Sequence, residues 1–164
     1  MLDVRPVLYA PGKNLTFSLS LDLSDMDFAG YHPVTRPVNV SGTVCNAADV
    51  LTLDMTASTV LDARCDRCGK IFPEEKNVDF HCLLAQELQS DDHDDIVPLE
   101  DGFVDAEDLA RTAFVLAMDS KTLCSEECKG LCPRCGANLN DGPCSCGKEP
   151  DPRWNVLARL LDSP

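Results

Sequence analysis

The chain has 164 residues, of which 44% are hydrophobic and only 5% aromatic, and a formal net charge of −14. That length allows one modest domain with a small appendage. The acidic balance excludes the basic footprint of a general nucleic-acid binder, and no apolar run approaches the ~20 residues a membrane span needs.

Residues 1–25, MLDVRPVLYAPGKNLTFSLSLDLSD, lack a basic start followed by an unbroken apolar run, so the chain reads as soluble and cytoplasmic. Residues 15–23, LTFSLSLDL, alternate: Leu15, Phe17, Leu19, Leu21 and Leu23 share one face, the signature of a half-buried strand. Residues 38–44 repeat the pattern through Val38, Val40 and Val44. Residues 51–61 place Leu51, Leu53, Met55, Ala57 and Leu61 on one face. The short turn between the latter two segments predicts an antiparallel hairpin. A fourth strand is expected over 78–84, with Val78, Phe80, Cys82 and Leu84 inward.

Four strands with no helical pattern between them predict an α+β chain whose antiparallel sheet curls on itself. Residues 1–88 form this β-rich domain, and 89–104 an acidic linker. Residues 105–164 hold the rest. A helix is expected over 106–119, capped by Asp105, with Leu109, Ala113, Leu116 and Ala117 as its apolar face, widened by Phe114 and Val115. A cysteine-rich segment resembling a zinc ribbon follows. A last helix is expected to start at Asp151 and Pro152, with Trp154, Leu157, Leu160 and Leu161 packing on the sheet.

Ten cysteines in a reducing compartment read as metal ligands or reactive thiols rather than disulfides. Eight fall into pairs: Cys65 and Cys68, Cys124 and Cys128, Cys132 and Cys135, Cys144 and Cys146. CDRCG and CPRCG share the form C-x-x-C-G. Two thiolates in such a turn grip one tetrahedral ion at about 2.3 Å each, and the glycine lets the chain turn with positive φ. If a helical turn extends that far, Cys124 and Cys128 at i, i+4 share a face.

The most local closure joins Cys132 and Cys135 to Cys144 and Cys146 across residues 136–143. Cys65 and Cys68 then meet Cys124 and Cys128, which staples the C-terminal segment to the sheet. The other pairing has Cys128 replace one cysteine of the CSC pair. Structural zinc is expected, one or two ions, with iron the alternative metal. Cys45 and Cys82 lie on strands and read as small buried hydrophobes. His32, His81 and His93 form no metal or catalytic pair, and His93 lies in a solvated acidic run. A dithiol redox enzyme would need its C-x-x-C at the start of a helix in a βαβ unit, whereas Cys65 follows a strand.

The charge is uneven. Residues 1–120 hold 8 Lys+Arg against 22 Asp+Glu, which accounts for all of the −14, and residues 121–164 hold 6 of each. An acidic body suits a basic partner. The basic residues of the tail, Lys121, Lys129, Arg134, Lys148, Arg153 and Arg159, are interleaved with as many acids and make no clear RNA-binding stripe.

The β-rich region ending in CDRCG, the acidic linker, and then GLCPRCGANLN, CSC and DPRW together resemble the large ribosomal RNA subunit accumulation protein (YceD-like) family over nearly the whole chain. The resemblance implies a non-enzymatic role in 23S ribosomal RNA accumulation and large-subunit assembly, through a basic ribosomal protein or pre-rRNA. No small-molecule substrate is evident in the sequence. The family includes members with cysteine-poor C-termini, so its shared function does not require the C-terminal metal site. The alternative class is an enzyme, a dithiol oxidoreductase or an RNA-modifying protein using the C-x-x-C pairs.

Overall fold

The computed structural model describes residues 1–28, 30–86 and 96–146. In chain order these form β1 (Leu2–Asp3), α1 (Arg5–Leu8), β2 (Asn14–Leu21), β3 (Val38–Ala47), β4 (Val50–Arg64), β5 (Ile71–Ala85), β6 (Ile96–Pro98), β7 (Phe103–Val104) and α2 (Ala106–Leu116). The expected final helix and Trp154 lie outside the described residues, as does His93.

Strands β2 to β5 form an antiparallel meander in the order of the chain. Their alternation works as the sequence suggests. Leu15, Val44, Leu53 and Cys82 line up as one cross-strand row on the inner face. The β3–β4 hairpin closes at Ala47↔Val50. Its two turn residues, Ala48 and Asp49, have φ of 52° and 66°, the double positive φ of a tight two-residue hairpin whose twist matches the strands. Gly42 faces Phe17 across β2–β3. A Cβ there would lie 2.6 Å from the Phe17 ring and 2.8 Å from the Asp54 carbonyl oxygen, so only glycine fits.

The sheet is open, which corrects the expected curl. Its edges are β2 and β6, with no pairing between them. Five strands fall short of the roughly eight that close around a filled interior. The inner face is covered by other elements instead. Strand β6 lies in the second half of the acidic segment and adds parallel to β5. Leu99 beyond it is buried. Strands β1 and β7 make a small separate ladder.

The core has two adjoining parts. Helix α2 packs Ala110 and the fully buried Phe114 against Leu21, Val38, Val40, Ala57 and Leu61. The N-terminal segment covers the rest, setting Val4 and Val7 with Val104 against Val44, Leu53 and Leu84. Buried Asn46 ties the two layers: its Nδ2 donates to the carbonyls of Val7 at 2.7 Å and Leu8 at 3.1 Å.

Asp105 caps α2, its carboxylate accepting from the Asp108 amide at 3.1 Å. The helix ends at Leu116, earlier than expected, and its buried face runs through Ala106, Ala110 and Phe114. Leu116 is 80% exposed. It lies two residues, about 200° around the axis, from Phe114, so both cannot face the sheet.

The outer face of the sheet carries small polar side chains. Two of its cross-strand rows read Thr16–Thr43–Asp54–His81 and Ser18–Ser41–Thr56–Asp79. Neither contains Lys or Arg. His81 Nδ1 sits 2.6 Å from Asp54 Oδ1 on this open surface, away from the apolar side as expected.

Candidate metal centres

The long β4–β5 hairpin closes at Arg64↔Ile71 and leaves residues 65–70, CDRCGK, as its tip. The Cys65 amide donates to the Lys70 carbonyl at 2.9 Å, and the Gly69 amide to the Cys65 carbonyl at 2.8 Å. The second knuckle repeats both bonds at the same offsets. The Cys132 amide donates to the Ala137 carbonyl at 2.8 Å, and the Gly136 amide to the Cys132 carbonyl at 2.9 Å. Gly69 and Gly136 have φ of 71° and 72°. The shared C-x-x-C-G pattern thus folds twice into one turn, with glycine at the left-handed position.

The eight paired cysteines form two tetrads. Cys65, Cys68, Cys124 and Cys128 make the first, and Cys132, Cys135, Cys144 and Cys146 the second. In each, all four sulfurs lie within 4.8 Å of one another. This is the local closure, with Cys128 in the first tetrad and not in the CSC group. No cysteine among the described residues is in a disulfide. Cys65 Sγ and Cys128 Sγ are 3.8 Å apart, and Cys68 Sγ and Cys124 Sγ 3.7 Å. Four thiolates at about 2.3 Å around a tetrahedral ion stand about 3.8 Å apart, so the first tetrad has the dimensions of such a cage.

Cys124 and Cys128 do not sit on a helix, which corrects that expectation. Helix α2 has ended, and a turn closed by the Cys128 amide on the Ser125 carbonyl at 3.0 Å brings the two sulfurs together. This segment is tied to the hairpin tip by more than sulfur. The Asp66 amide donates to the Thr122 carbonyl at 2.9 Å, and the Thr122 amide to Asp66 Oδ2 at 2.7 Å. Arg67 Nη1 donates to the carbonyls of Glu126 at 3.1 Å and Cys128 at 2.9 Å.

The electrostatics of the tetrads point to a cation. Backbone N–H groups of Cys124, Cys68 and Arg67 bring the Cys65 thiol down to about 6. Those of Cys135 and Arg134 bring Cys132 down to about 6 as well. Burial and the neighbouring thiols push Cys124 up to about 12. Cys135 and burial do the same to Cys146, also about 12. The first cage favours thiolate at Cys65 and Cys128 and the second at Cys132, and each resists more negative charge at its other raised thiols. A bound divalent cation reverses that resistance. Four-sulfur tetrahedral sets suit zinc or iron.

The sequence reading missed the residues around the sulfurs. Asn140 Nδ2 lies 3.3 Å from Cys128 Sγ, and this contact draws the Cys128 thiol down. Asn140, Asp66 and Arg67 lie inside or beside the cysteine motifs, which was the one signal available for them. Cys82 is buried in the core as expected, its thiol pushed up to about 11 by burial and then by the charge of Asp54. Cys45 is only half-buried.

A chloroplastic homologue 1 of large ribosomal RNA subunit accumulation protein YCED from Arabidopsis thaliana is 30% identical over 162 residues, covering 80% of this chain and 50% of that protein. The Zea mays homologue is 29% identical over 160 residues, covering 78% of this chain and 54% of that one. The chain therefore spans about half the length of these plant relatives. An uncharacterized protein of Mycobacterium tuberculosis is 30% identical over 168 residues, covering 98% of this chain and 74% of that protein. No solved structure was found to match. Residues 53–161, from near the start of β4 through both tetrads, match the model of the large ribosomal RNA subunit accumulation protein YceD, and the chain belongs to that family.

Proposed function

We propose that the chain is a non-enzymatic ribosome-biogenesis factor that supports accumulation of 23S ribosomal RNA, with two structural zinc centres. The observation that carries this reading is the family match over residues 53–161. The plant relatives bear the same description in their names. Among the described residues no helix is long and apolar enough to cross a membrane, and the factor is taken to work in the cytoplasm.

The direct partner in this reading is a basic ribosomal protein of the large subunit. The net charge of −14 favours a cationic partner. The outer rows Thr16–Thr43–Asp54–His81 and Ser18–Ser41–Thr56–Asp79 offer two aspartates among short hydroxyl side chains, with no Lys or Arg to hold a phosphate. Zinc would be held by Cys65, Cys68, Cys124 and Cys128, and by Cys132, Cys135, Cys144 and Cys146. When bound it supplies cross-linking of the chain rather than chemistry, since four protein sulfurs leave no open position for a substrate.

The second reading, a dithiol oxidoreductase or RNA-modifying enzyme, draws on the low thiols of Cys65 and Cys132. A thiol titration of the purified chain separates the two. Zinc-held sulfurs react slowly until a chelator is added, whereas a redox dithiol reacts at once. The assembly reading is tested by depleting the chain from cells and measuring large- against small-subunit rRNA. A selective fall in 23S rRNA is expected, and an unchanged ratio would remove the reading.

A further inference from the structure

The two tetrads are joined by a strap of three residues, Lys129, Gly130 and Leu131, between Cys128 of the first and Cys132 of the second. The loop between Cys135 and Cys144 folds back onto this strap. Leu131 and Asn138 form a bridge, and the Leu139 amide donates to the Gly130 carbonyl at 2.9 Å. Midway along the loop, Asn140 uses both sides of its amide. Oδ1 accepts from the Lys129 amide at 2.8 Å, while Nδ2 reaches Cys128 Sγ at 3.3 Å and Asn138 Oδ1 at 2.8 Å. A residue held in a loop of the second tetrad therefore donates to a sulfur of the first.

We infer that Asn140 couples the two centres: metal in the second tetrad fixes the loop that carries Asn140, and Asn140 in turn strengthens metal binding in the first. The inference rests on the zinc reading above and goes beyond it. A metal-bound thiolate concentrates negative charge on sulfur, and an N–H donor aimed at it spreads that charge and holds the sulfur in position. Among the described residues the Asn140 side chain reaches the first tetrad at Cys128 Sγ and at the adjoining Lys129 amide, and it acts there only while its loop is in place. The loop is anchored at both ends by ligands of the second centre, Cys135 and Cys144. Filling that centre removes conformational freedom from the loop before the first centre uses it. Linkage makes the effect reciprocal, so metal in the first centre also favours metal in the second.

The strap has little slack. Gly130 has φ of 73°, and a Cβ on it would stand 3.0 Å from the Arg67 carbonyl oxygen in the first knuckle. The strap is thus pressed against the hairpin tip, and a shift of the second centre's loop reaches Cys128 directly.

The test uses the full chain, stripped of metal and titrated with Zn²⁺ against a competing chelator. Three proteins are compared: the unaltered chain, Asn140→Asp, and the double variant Cys144→Ser with Cys146→Ser. Asn140→Asp keeps the oxygen that accepts from Lys129 but sets an oxygen, not an N–H, against Cys128 Sγ. The affinity of the first centre is expected to fall about 10- to 100-fold in Asn140→Asp, the usual effect of losing a hydrogen-bond partner of a metal ligand. In the double variant the first centre should weaken by a similar factor, although none of its four ligands has changed. Two spectroscopic readouts separate positioning from general damage. The Asn140 side-chain amide resonance should be protected from exchange in the zinc-loaded chain and lose protection in the double variant. With Co²⁺ as the probe, the sulfur-to-metal absorption of the first centre should shift in Asn140→Asp. First-centre affinities within twofold of the unaltered chain in both variants would overturn the coupling and leave the zinc reading standing. Failure of the unaltered chain to bind any metal would overturn both.

Discussion

Removing the metal should release the C-terminal segment and leave the sheet folded. The described chain beyond Leu116 contains no helix or strand of more than an isolated bridge. Among the described residues, none after Met118 belongs to either main core cluster. Besides the Asp66–Thr122 and Arg67 hydrogen bonds, what packs residues 121–146 onto the hairpin tip is a small cluster of Cys65, Cys68 and Cys128 with Phe72, Leu123 and Cys124 packed against it. Leu123 is the only aliphatic side chain this segment contributes to it, and it is half-buried. Fully burying a leucine is worth about 1.5–3 kcal/mol. Fixing the backbone of one residue costs about 1–2 kcal/mol. Half-buried, Leu123 therefore offsets the ordering of about one residue. A structural zinc site contributes about 10–16 kcal/mol, which is of the required size. Limited trypsin digestion of the full chain, with and without a chelator, reads this out. Cleavage after Lys121, Lys129 and Arg134 should be slow with zinc and fast without it. The cooperative melt of the sheet should move by less than about 4 °C, since its cores are untouched. Equal cleavage rates in both states would refute the reasoning, as would loss of the sheet's transition on chelation.

Other consequences can be checked on the same protein. Phe114→Ala removes the fully buried anchor of α2, and chemical denaturation should show a loss of about 3–5 kcal/mol. Gly42→Ala brings a methyl group against the Asp54 carbonyl, which cannot swing aside as the Phe17 ring can; a loss of about 1–3 kcal/mol is expected, with β2 the first strand to lose amide-exchange protection. Cys82 is an acid whose folded value is raised from 9.0 to about 11. The folded state therefore keeps its proton where the unfolded chain gives it up, and the stability this confers is complete below pH 9.0 and lost as pH rises towards about 11. Denaturation midpoints should fall across that window and fall less in Cys82→Ala.

The strands were legible because both the pattern and its cause are local. In β4, Leu51, Leu53, Met55, Ala57 and Leu61 all face the core, since side chains alternate strictly along a strand. The knuckles were legible for the same reason: C-x-x-C-G sets both the sulfur spacing and the turn. Helix α2 was placed, and Leu109, Ala113, Phe114 and Ala117 pack on the core as expected, but Leu116 turns out to solvent and Ala106 and Ala110 join the buried face. Its apolar residues extend more than halfway round, so the sequence offered several faces, and the fit of Phe114 between β2, β3 and β4 selected one. Helix α1 has four residues and β1 and β7 two each, too short to carry a period. They exist because Val4, Val7 and Val104 fill the part of the inner face that α2 leaves bare. The same holds for β6, which the acids around it disguised as linker. Asn140 was invisible because its partner sulfur belongs to the other tetrad, a relation set only by the fold.

The central claim is that eight of the ten cysteines form two four-sulfur zinc centres. Metal analysis of the purified full chain, paired with a thiol titration, tests it most directly. The account predicts two zinc ions per chain and eight thiols that react slowly until a chelator is added. A chain that carries no metal and whose eight paired thiols react at once would contradict it.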